Sequence, residues 1–248
     1  MTPLGAGTRS WNSLRTTVVG ELLGDVLAGM GTAPVRVVDA GGGTGGFAVP
    51  LAAAGHHVTV VDPSPDAMAA LRRRAGEQAV SGTVTGVQGD LAGLLEVVDP
   101  GTADLLLCHN VLEMVDDPAA ALRTVHEALR PGGLVSLLVP SRGGGVLAKT
   151  LAGRFAEAAA LLDQPVPGGA AGFTPAEVHA LVSAAGLTIE TTHAVRVFSD
   201  LVPGAVLDPD PAGTSALLDL ERKVADRPEY FALAGQLHVV ARRPDGGS

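Results

Sequence analysis

The sequence predicts a doubly wound α/β fold, in which helices cover both faces of a parallel β-sheet. Short apolar runs rich in valine and leucine recur over the first 140 residues and alternate with helical patterns. Continuous apolar runs are typical of strands that are buried on both faces. The length of 248 residues and the hydrophobic content of 46% suit one large domain with a full core. We therefore expect a single domain over residues 1–248.

Each element follows from the pattern in chain order. A first helix is predicted over residues 13–28, because its apolar residues recur at helical spacing on one face. Strands are then predicted at 35–39, 57–62, 83–88, 103–109 and 133–140, with helices between them at 45–54, 66–79 and 117–129. Residues 141–172 are glycine-rich and partly helical, and we expect them to form an insertion over the strand ends. The remaining elements are a helix at 175–185, a strand at 187–198, a helix at 214–226 and a last strand at 236–244.

Charge and cysteine content narrow the class of protein. A net charge of -9 and a pI near 5.1 argue against broad attraction to nucleic acid but allow a local basic cleft. With Cys108 as the single cysteine, we expect neither a disulfide framework nor a thiolate metal cluster. The sequence has no apolar run long enough to span a membrane, and its polar N-terminus does not resemble a signal peptide. These features predict a cytoplasmic protein without a metal or a membrane partner.

The stretch "VRVVDAGGGTGGFAVPLA" contains two overlapping glycine motifs. Gly41, Gly43 and Gly46 match the G-x-G-x-x-G of a dinucleotide-binding turn. Asp39, Gly41, Gly43 and Gly45 match the D-x-G-x-G-x-G of an S-adenosylmethionine (SAM) site. These glycines follow a strand directly and open a helix, so that the backbone can closely approach a ligand. A tight turn without a ligand is the simpler alternative, but it does not require five glycines in six residues.

Acidic residues end the second and third predicted strands. Asp62 lies where a carboxylate can accept hydrogen bonds from both ribose hydroxyls of either NAD or SAM. Its alternative role is to cap the following helix. Asp90 could accept a hydrogen bond from an adenine amino group, and a plain N-cap role explains it equally well.

The series of motifs resembles the class I SAM-dependent methyltransferases. It comprises the D-x-G-x-G-x-G turn, Asp62, "GD" at 89–90, "CHNVLEMVDDP" and "LRPGG". Residues 35–244 resemble more closely the bacterial tRNA 5-carboxymethoxyuridine methyltransferases, in "VVDAGGGTGG", "LRPGGLVSLL", "VRVFSDLV" and the tail "LLDLERKVADRPEYFALAGQLHVVARRP". Upstream, "LRTTVVGELLGDVLA" resembles their N-terminal helix. The resemblance implies a Rossmann-like class I methyltransferase fold with an antiparallel last strand, and SAM as the cofactor.

The resemblance also implies roles for individual residues. The cofactor contacts would be Arg15 on the methionine carboxylate, Asp39, Gly41, Gly42, Gly43 and Gly45 in the turn against the methionine part, Asp62 on the ribose, and Gln88, Gly89 and Asp90 around the adenine. His109 would lie beside the reactive end. A buried histidine that is satisfied by the backbone is the alternative for His109.

The methyl acceptor stays open between two classes. A carboxylate acceptor needs no base at pH 7, and in that case His109 would position the reactants while Arg154 and Arg196 pair with the anion. For a hydroxyl acceptor, His109 would be the general base. Arg196 could instead be a solvated edge residue.

The resemblance suggests the wobble-uridine carboxylate in the anticodon region of tRNA as the acceptor, and a small anionic metabolite is the alternative. The segment "LLDQPVPGGAAG" at 161–172 has no basic residue, which favours a small or locally presented anion over RNA that is gripped along its backbone. A noncatalytic SAM-binding subunit and a nicotinamide oxidoreductase are the remaining function classes.

Two segments are expected to close over the cofactor. These are the N-terminal helix, within residues 1–30, and a lid-like insertion at 141–173, with glycines at 143–145 and 168–169 as its flexible ends.

Overall fold

A computed structural model describes residues 14–31, 34–163, 169–202 and 211–246, with the backbone alone at 14, 15, 170 and 211. The described residues contain a seven-stranded sheet. Its strands are β1 (Arg36–Ala40), β2 (His57–Asp62), β3 (Val84–Gln88), β4 (Ala103–His109), β5 (Leu129–Pro140), β6 (Thr188–Val195) and β7 (Gln236–Arg242). The helices are α1 (Leu14–Gly29), α2 (Ala48–Ala53), α3 (Pro65–Glu77), α4 (Pro118–Ala128), α5 (Arg142–Leu151), α6 (Phe155–Leu162), α7 (Pro175–Ala184), α8 (Pro211–Val224) and α9 (Pro228–Phe231).

The strand order is β3-β2-β1-β4-β5-β7-β6. Strands β1 to β5 pair in parallel, whereas β7 is antiparallel to both of its neighbours, β5 and β6. The predicted doubly wound α/β fold with an antiparallel last strand is therefore confirmed. The chain runs outward from β1 in both directions, so that the order reverses between β1 and β4. In open α/β sheets, ligands bind beyond the carboxyl ends of the strands at such a point.

Two apolar layers enclose the sheet. One core lies between the sheet and the buried faces of α4 and α7. The other lies between the sheet and α1, α2 and α3, with Val19 and Leu23 of α1 fully buried. Helix α1 lies close to the predicted range of residues 13–28, and its apolar residues pack on the sheet. Closure of its N-terminal end over a cofactor stays a prediction.

Several element boundaries differ from the predicted ones, and the structure gives the reason for three of them. Helix α2 begins at Ala48 and not at residue 45, because Gly45 has a φ of +79°. Strand β5 begins at Leu129 and not at residue 133, because Leu129 pairs with Ala103 of β4. Strand β6 ends at Val195 and not at residue 198, because the next residue, Arg196, has a φ of +61°.

The insertion after β5 contains helices α5 and α6 and a 3-10 turn at Gly169–Ala171. Its expected flexible end at residues 143–145 is wrong. Gly143 and Gly144 lie in the first turn of α5, where a Cβ would overlap the backbone oxygens of Ala232 and Ala234. This tight packing anchors α5. The expected end at 168–169 falls partly outside the described residues, and closure of the rest of the insertion stays a prediction.

None of the helices in the described part of the chain combines the length and apolar character that a bilayer-spanning segment needs.

Candidate active site

The glycine turn connects β1 to α2 in a conformation that side chains would not allow. Gly41, Gly43 and Gly45 have φ values of +72°, +56° and +79°, which L residues rarely adopt. A Cβ at Gly41 would overlap the side chain of Val111, and one at Gly42 would overlap the carboxylate of Asp39. The turn therefore packs backbone directly against the residues that follow β4.

Asp62 ties the end of β2 to this turn. Its Oδ2 accepts a hydrogen bond from the backbone N–H of Gly43 at 3.0 Å, and its Oδ1 accepts one from the N–H of Ser64 at 2.9 Å. The cap of α3 is Ser64, whose hydroxyl accepts from the N–H of Ala67 at 3.2 Å. Each carboxylate oxygen of Asp62 accepts one bond and retains capacity for a second. The carboxylate can therefore hold the turn and accept bonds from a diol.

Asp39 is a buried acid at the base of the turn, 2% exposed. Burial, followed by the nearby charge of Asp62, raises the pKa of Asp39 to about 7. Its Oδ2 has no hydrogen-bond partner among the described residues. A buried oxygen without a partner is costly in a folded protein. Asp39 is therefore suited to accept a hydrogen bond from a ligand that contacts the turn.

The raised pKa of Asp39 predicts a pH-dependent cost in stability. Between about pH 4 and about pH 7, native Asp39 keeps a proton that the unfolded chain has lost, so the free energy of unfolding decreases as the pH rises. The Asp39→Asn variant lacks this dependence. The free energy of unfolding of the variant minus that of the wild type, measured by urea denaturation, should therefore be larger at about pH 8 than at about pH 5. An equal stability difference at both pH values would contradict the prediction.

A cavity of about 520 Å³ opens between the glycine turn and the residues that follow β3 and β4. Gly41, Asp90, Val111 and Met114 are among the residues that line it. Asp90 also accepts a hydrogen bond from the N–H of Gly93 at 2.8 Å, which resembles its alternative capping role. The wall is largely apolar and also includes the carboxylate residues Asp90, Asp116 and Asp117. This combination suits a flat heteroaromatic ring that carries an amino group.

Gln88 and Gly89 lie at the edge of this region and have protein partners. The side-chain amide of Gln88 donates to the carbonyl of Pro63 at 3.2 Å. The N–H of Gly89 donates to the carbonyl of Asp62 at 3.3 Å. Together these bonds join the end of β3 to the end of β2.

His109 ends β4 and is 9% exposed. Its Nε2 lies 2.8 Å from the hydroxyl of Ser136 on β5, whereas its buried Nδ1 has no partner among the described residues. Burial lowers the pKa of His109 to about 3, so that the ring is neutral at pH 7. The ring packs edge to face on Phe47, which follows the glycine turn, with the centroids 4.9 Å apart. His109 therefore faces the turn through the ring and has one nitrogen available for a ligand.

Four further polar residues continue from His109, three across the sheet and a fourth beyond it. The hydroxyl of Ser136 lies 2.7 Å from Nε2 of His238 on β7. The Nδ1 atoms of His238 and His193 on β6 lie 3.1 Å apart, and Nε2 of His193 lies 3.2 Å from the carboxylate of Asp226. Sequence reasoning missed these residues. The available signal was a single polar residue inside an otherwise apolar strand, as in "LVSLLV" and "QLHVVA".

Arg196 lies at the same edge of the sheet as His109. Its guanidinium binds the carboxylate of Asp200 at 3.1 and 2.5 Å. Its carbonyl accepts a bond from the N–H of Gly235, next to Gln236, whose side chain contacts Asn110 after β4. These contacts place Arg196 beside the residues that follow His109. Arg196 is bound to Asp200 and partly buried, unlike a solvated residue at the edge of the sheet.

Glu221 organises the segment after Arg196 and was not recognised from the sequence. It is 3% exposed, and it accepts hydrogen bonds from the backbone N–H groups of Val197, Phe198 and Ser199 at 3.0, 3.0 and 2.7 Å. No motif marks such a residue, because it lies on an amphipathic helix among other charged residues.

The remaining predicted arginines are less informative. Arg154 precedes α6, is largely exposed and binds Glu157 at 2.5 and 2.6 Å. Arg15 belongs to α1, but its side chain lies outside the described residues. No group of metal-binding side chains occurs within the ranges that the structure describes.

The predicted cofactor residues thus converge at the carboxyl edge of the parallel strands. Asp39 lies near the end of β1 and the glycine turn follows that strand, Asp62 ends β2, Asp90 follows β3 and His109 ends β4. Asp39 Oδ2 and His109 Nδ1 at this edge are among the buried polar atoms that have no hydrogen-bond partner in the described part of the chain. A ligand with a diol, an amino-substituted ring and a charged chain fits these residues.

A family model described as a methyltransferase domain matches residues 38–135. The chain is 33% identical over 242 residues to the tRNA 5-carboxymethoxyuridine methyltransferase of Escherichia coli (strain K12), with 93% of this chain and 88% of that protein covered. It is 32% identical over 162 residues to the ubiquinone biosynthesis O-methyltransferase of Xanthomonas euvesicatoria pv. vesicatoria (strain 85-10), with 64% of each chain covered.

Solved structures of methyltransferases share the fold. An S-adenosylmethionine dependent methyltransferase from Mesorhizobium loti superimposes with a TM-score of 0.58 at 22% identity, over 88% of this chain and 96% of that one. The 1,6-didemethyltoxoflavin-N1-methyltransferase of Burkholderia thailandensis gives a TM-score of 0.53 at 23% identity, over 89% and 76% of the chains. At these identities, the likeness establishes the fold alone.

Proposed function

Because the chain belongs to the class I SAM-dependent methyltransferases, in the family of the tRNA 5-carboxymethoxyuridine methyltransferases, we propose that it methylates a carboxylate oxygen of the wobble uridine in tRNA. The enzyme class and the cofactor follow from the family. The acceptor is the proposed part. We place the reaction in the cytoplasm, where this tRNA would be met.

The extent of the similarity carries this proposal. The match to the tRNA enzyme covers 93% of the chain and therefore extends into the segments after β5. The match to the ubiquinone enzyme covers 64%. Similarity that is confined to a cofactor core would support any acceptor, whereas similarity over the acceptor side supports a shared one.

The described residues suit the cofactor and this chemistry. SAM supplies a methyl group that its sulfonium already activates. We assign the ribose to Asp62, the adenine to the cavity at Asp90 and the methionine part to the glycine turn with Asp39. A carboxylate acceptor is ionised at pH 7, so the remaining tasks of the protein are orientation and exclusion of water. In this assignment, His109 positions the reactants and does not remove a proton.

A small anionic metabolite is the second candidate acceptor, and the charge pairing near the site favours it. Within the described residues 141–163 and 169–202, every lysine and arginine binds a carboxylate: Arg142 on Glu177, Lys149 and Arg154 on Glu157, and Arg196 on Asp200. Paired cations neutralise phosphates poorly, so a long RNA contact would have few partners on this surface.

The two acceptors can be separated with purified enzyme and SAM that carries a labelled methyl group. Bulk tRNA from cells that lack the gene serves as one substrate, and an extract of small metabolites from the same cells serves as the other. We expect the label in a wobble-uridine methyl ester, identified by mass spectrometry of tRNA nucleosides. Label in a metabolite, with none in tRNA, would overturn the proposed acceptor in favour of the second candidate.

Arg196 is expected to contribute to acceptor binding. Replacing it with alanine removes a planar cation that can form paired hydrogen bonds with a carboxylate. We expect the KM for tRNA to rise about tenfold while the Kd for SAM stays unchanged, as measured by initial rates and calorimetry. Arg154→Ala, which removes an exposed arginine just before α6, is the comparison variant. Equal effects of both variants on KM would contradict a specific role of Arg196.

A further inference from the structure

A continuous chain of hydrogen bonds connects the active site to the protein surface. It passes from His109 through Ser136 and His238 to His193, with donor–acceptor distances of 2.8, 2.7 and 3.1 Å, and ends at Asp226, 3.2 Å from His193. The four inner residues lie on β4, β5, β7 and β6, which are consecutive in the sheet. Asp226 is 82% exposed and lines a surface cavity of about 610 Å³ beside α1.

The chemistry of the five groups allows one direction of donation when Asp226 is a carboxylate. Burial lowers the pKa of His109, His238 and His193, which makes the three rings neutral, and a neutral imidazole has one donor and one acceptor nitrogen. A carboxylate only accepts, so His193 donates from Nε2 to Asp226 and accepts at Nδ1.

The same reasoning passes along the chain to the active site. His238 must donate from Nδ1 to His193 and accept at Nε2, so the hydroxyl of Ser136 donates to His238. Ser136 then accepts from Nε2–H of His109. Nδ1 of His109 consequently has no proton, and this is the buried atom without a partner among the described residues.

We propose that Ser136, His238, His193 and Asp226 are positioning residues that hold His109 in the Nε2–H tautomer, with its Nδ1 lone pair directed to the positively charged methionine part of SAM. The proposal rests on the SAM-dependent function but not on the identity of the acceptor. The opposite tautomer would direct an N–H dipole toward the sulfonium and ammonium groups of the cofactor. A lone pair is attracted to those charges, and the low basicity of a buried ring prevents a repulsive imidazolium.

The chain of hydrogen bonds also predicts how a lower pH affects the active site. His193 faces His238 from β7, Asp226 from the turn after α8, and the charge of Asp25 from α1. When His193 binds a proton, both of its nitrogens become donors, and its Nδ1–H must donate to His238. Donation then reverses through Ser136, and Nδ1 of His109 becomes protonated. The affinity for SAM should therefore decrease as the pH is lowered, and the midpoint of this decrease should coincide with the midpoint of the His193 titration.

The test combines ring-nitrogen NMR with SAM binding by the full-length protein. In a sample labelled with ¹⁵N-histidine, we expect the SAM complex at neutral pH to show an unprotonated Nδ1 and a protonated Nε2 for His109. Ser136→Ala interrupts the chain and should mix the two tautomers and weaken SAM binding about tenfold. Asp226→Ala removes the terminal acceptor at an exposed site and should shift the tautomers in the same direction with a smaller loss.

Asp219→Ala is the matched control, because it removes an exposed carboxylate of α8 that binds Arg222 and not the chain. It should leave the His109 resonances and the Kd for SAM unchanged. A protonated Nδ1 of His109 in the wild-type SAM complex would overturn the proposal, as would an unchanged tautomer in both chain variants. If Ser136→Ala does not fold, the wild-type spectrum and the Asp226→Ala variant still test the proposal. Because these readouts need no acceptor, they are independent of the tRNA experiment.

Discussion

Replacing Asp62 with alanine is expected to weaken SAM binding by about tenfold to a hundredfold, as measured by calorimetry. The carboxylate lies beside the glycine turn and accepts the N–H groups of Gly43 and Ser64 at 3.0 and 2.9 Å. In our assignment, its remaining lone pairs accept bonds from two ribose hydroxyls. Hydrogen bonds to a charged acceptor are among the stronger ones in proteins. The variant loses these bonds together with the anchor of the turn.

Two comparison variants separate these contributions. Asp62→Asn keeps one acceptor oxygen and should bind SAM with an intermediate affinity. Asp66→Ala removes an exposed carboxylate from the first turn of α3 and should bind SAM like the wild type. Wild-type affinity in a folded Asp62→Ala protein would mean that Asp62 only organises the turn.

Replacing Glu221 with alanine is expected to lower the free energy of unfolding by about 3 kcal/mol or more. The buried carboxylate accepts three consecutive backbone N–H groups, from Val197 to Ser199. Removing it leaves these donors without their acceptor in a segment that is buried at Val197 and partly buried at Phe198 and Ser199. Each buried donor without an acceptor costs about 1 to 3 kcal/mol. Urea denaturation of the wild type and the variant measures the difference.

Glu229→Ala serves as the control, since Glu229 is an exposed residue of the short helix α9. It should change the stability by about 0.5 kcal/mol or less. Because the segment held by Glu221 directly follows Arg196, the Glu221 variant should also raise the KM for the acceptor. A stability loss below about 1 kcal/mol would show that water replaces the carboxylate.

The sequence by itself determined the architecture and the cofactor side of the site. The continuous apolar runs from β1 to β5 predicted buried parallel strands, and each observed strand coincides with a predicted one. The glycines after β1 marked a close backbone approach, and positive φ values at Gly41, Gly43 and Gly45 confirm that this turn needs glycine. These features are local, because a residue's alternation pattern or φ preference depends on its near neighbours in the chain.

Local boundaries were predicted less well where partners from distant segments decide them. Leu129 joins β5 because Ala103 of β4 lies opposite to it. The expected flexible glycines at 143 and 144 pack instead on the backbone of Ala232 and Ala234. In each case, the deciding contact comes from a segment that the local pattern does not include.

Only the tertiary structure decided which polar side chains meet. Ser136 and His238 are 102 residues apart in sequence, yet they share a hydrogen bond because β7 inserts antiparallel between β5 and β6. The same strand order brings His193 next to His238, and chain folding brings Glu221 under the segment after Arg196. Such partners depend on strand order and register, which arise from the packing of the whole sheet. A single histidine within an apolar strand therefore predicts a buried polar group, but its partner and its tautomer are determined by the fold.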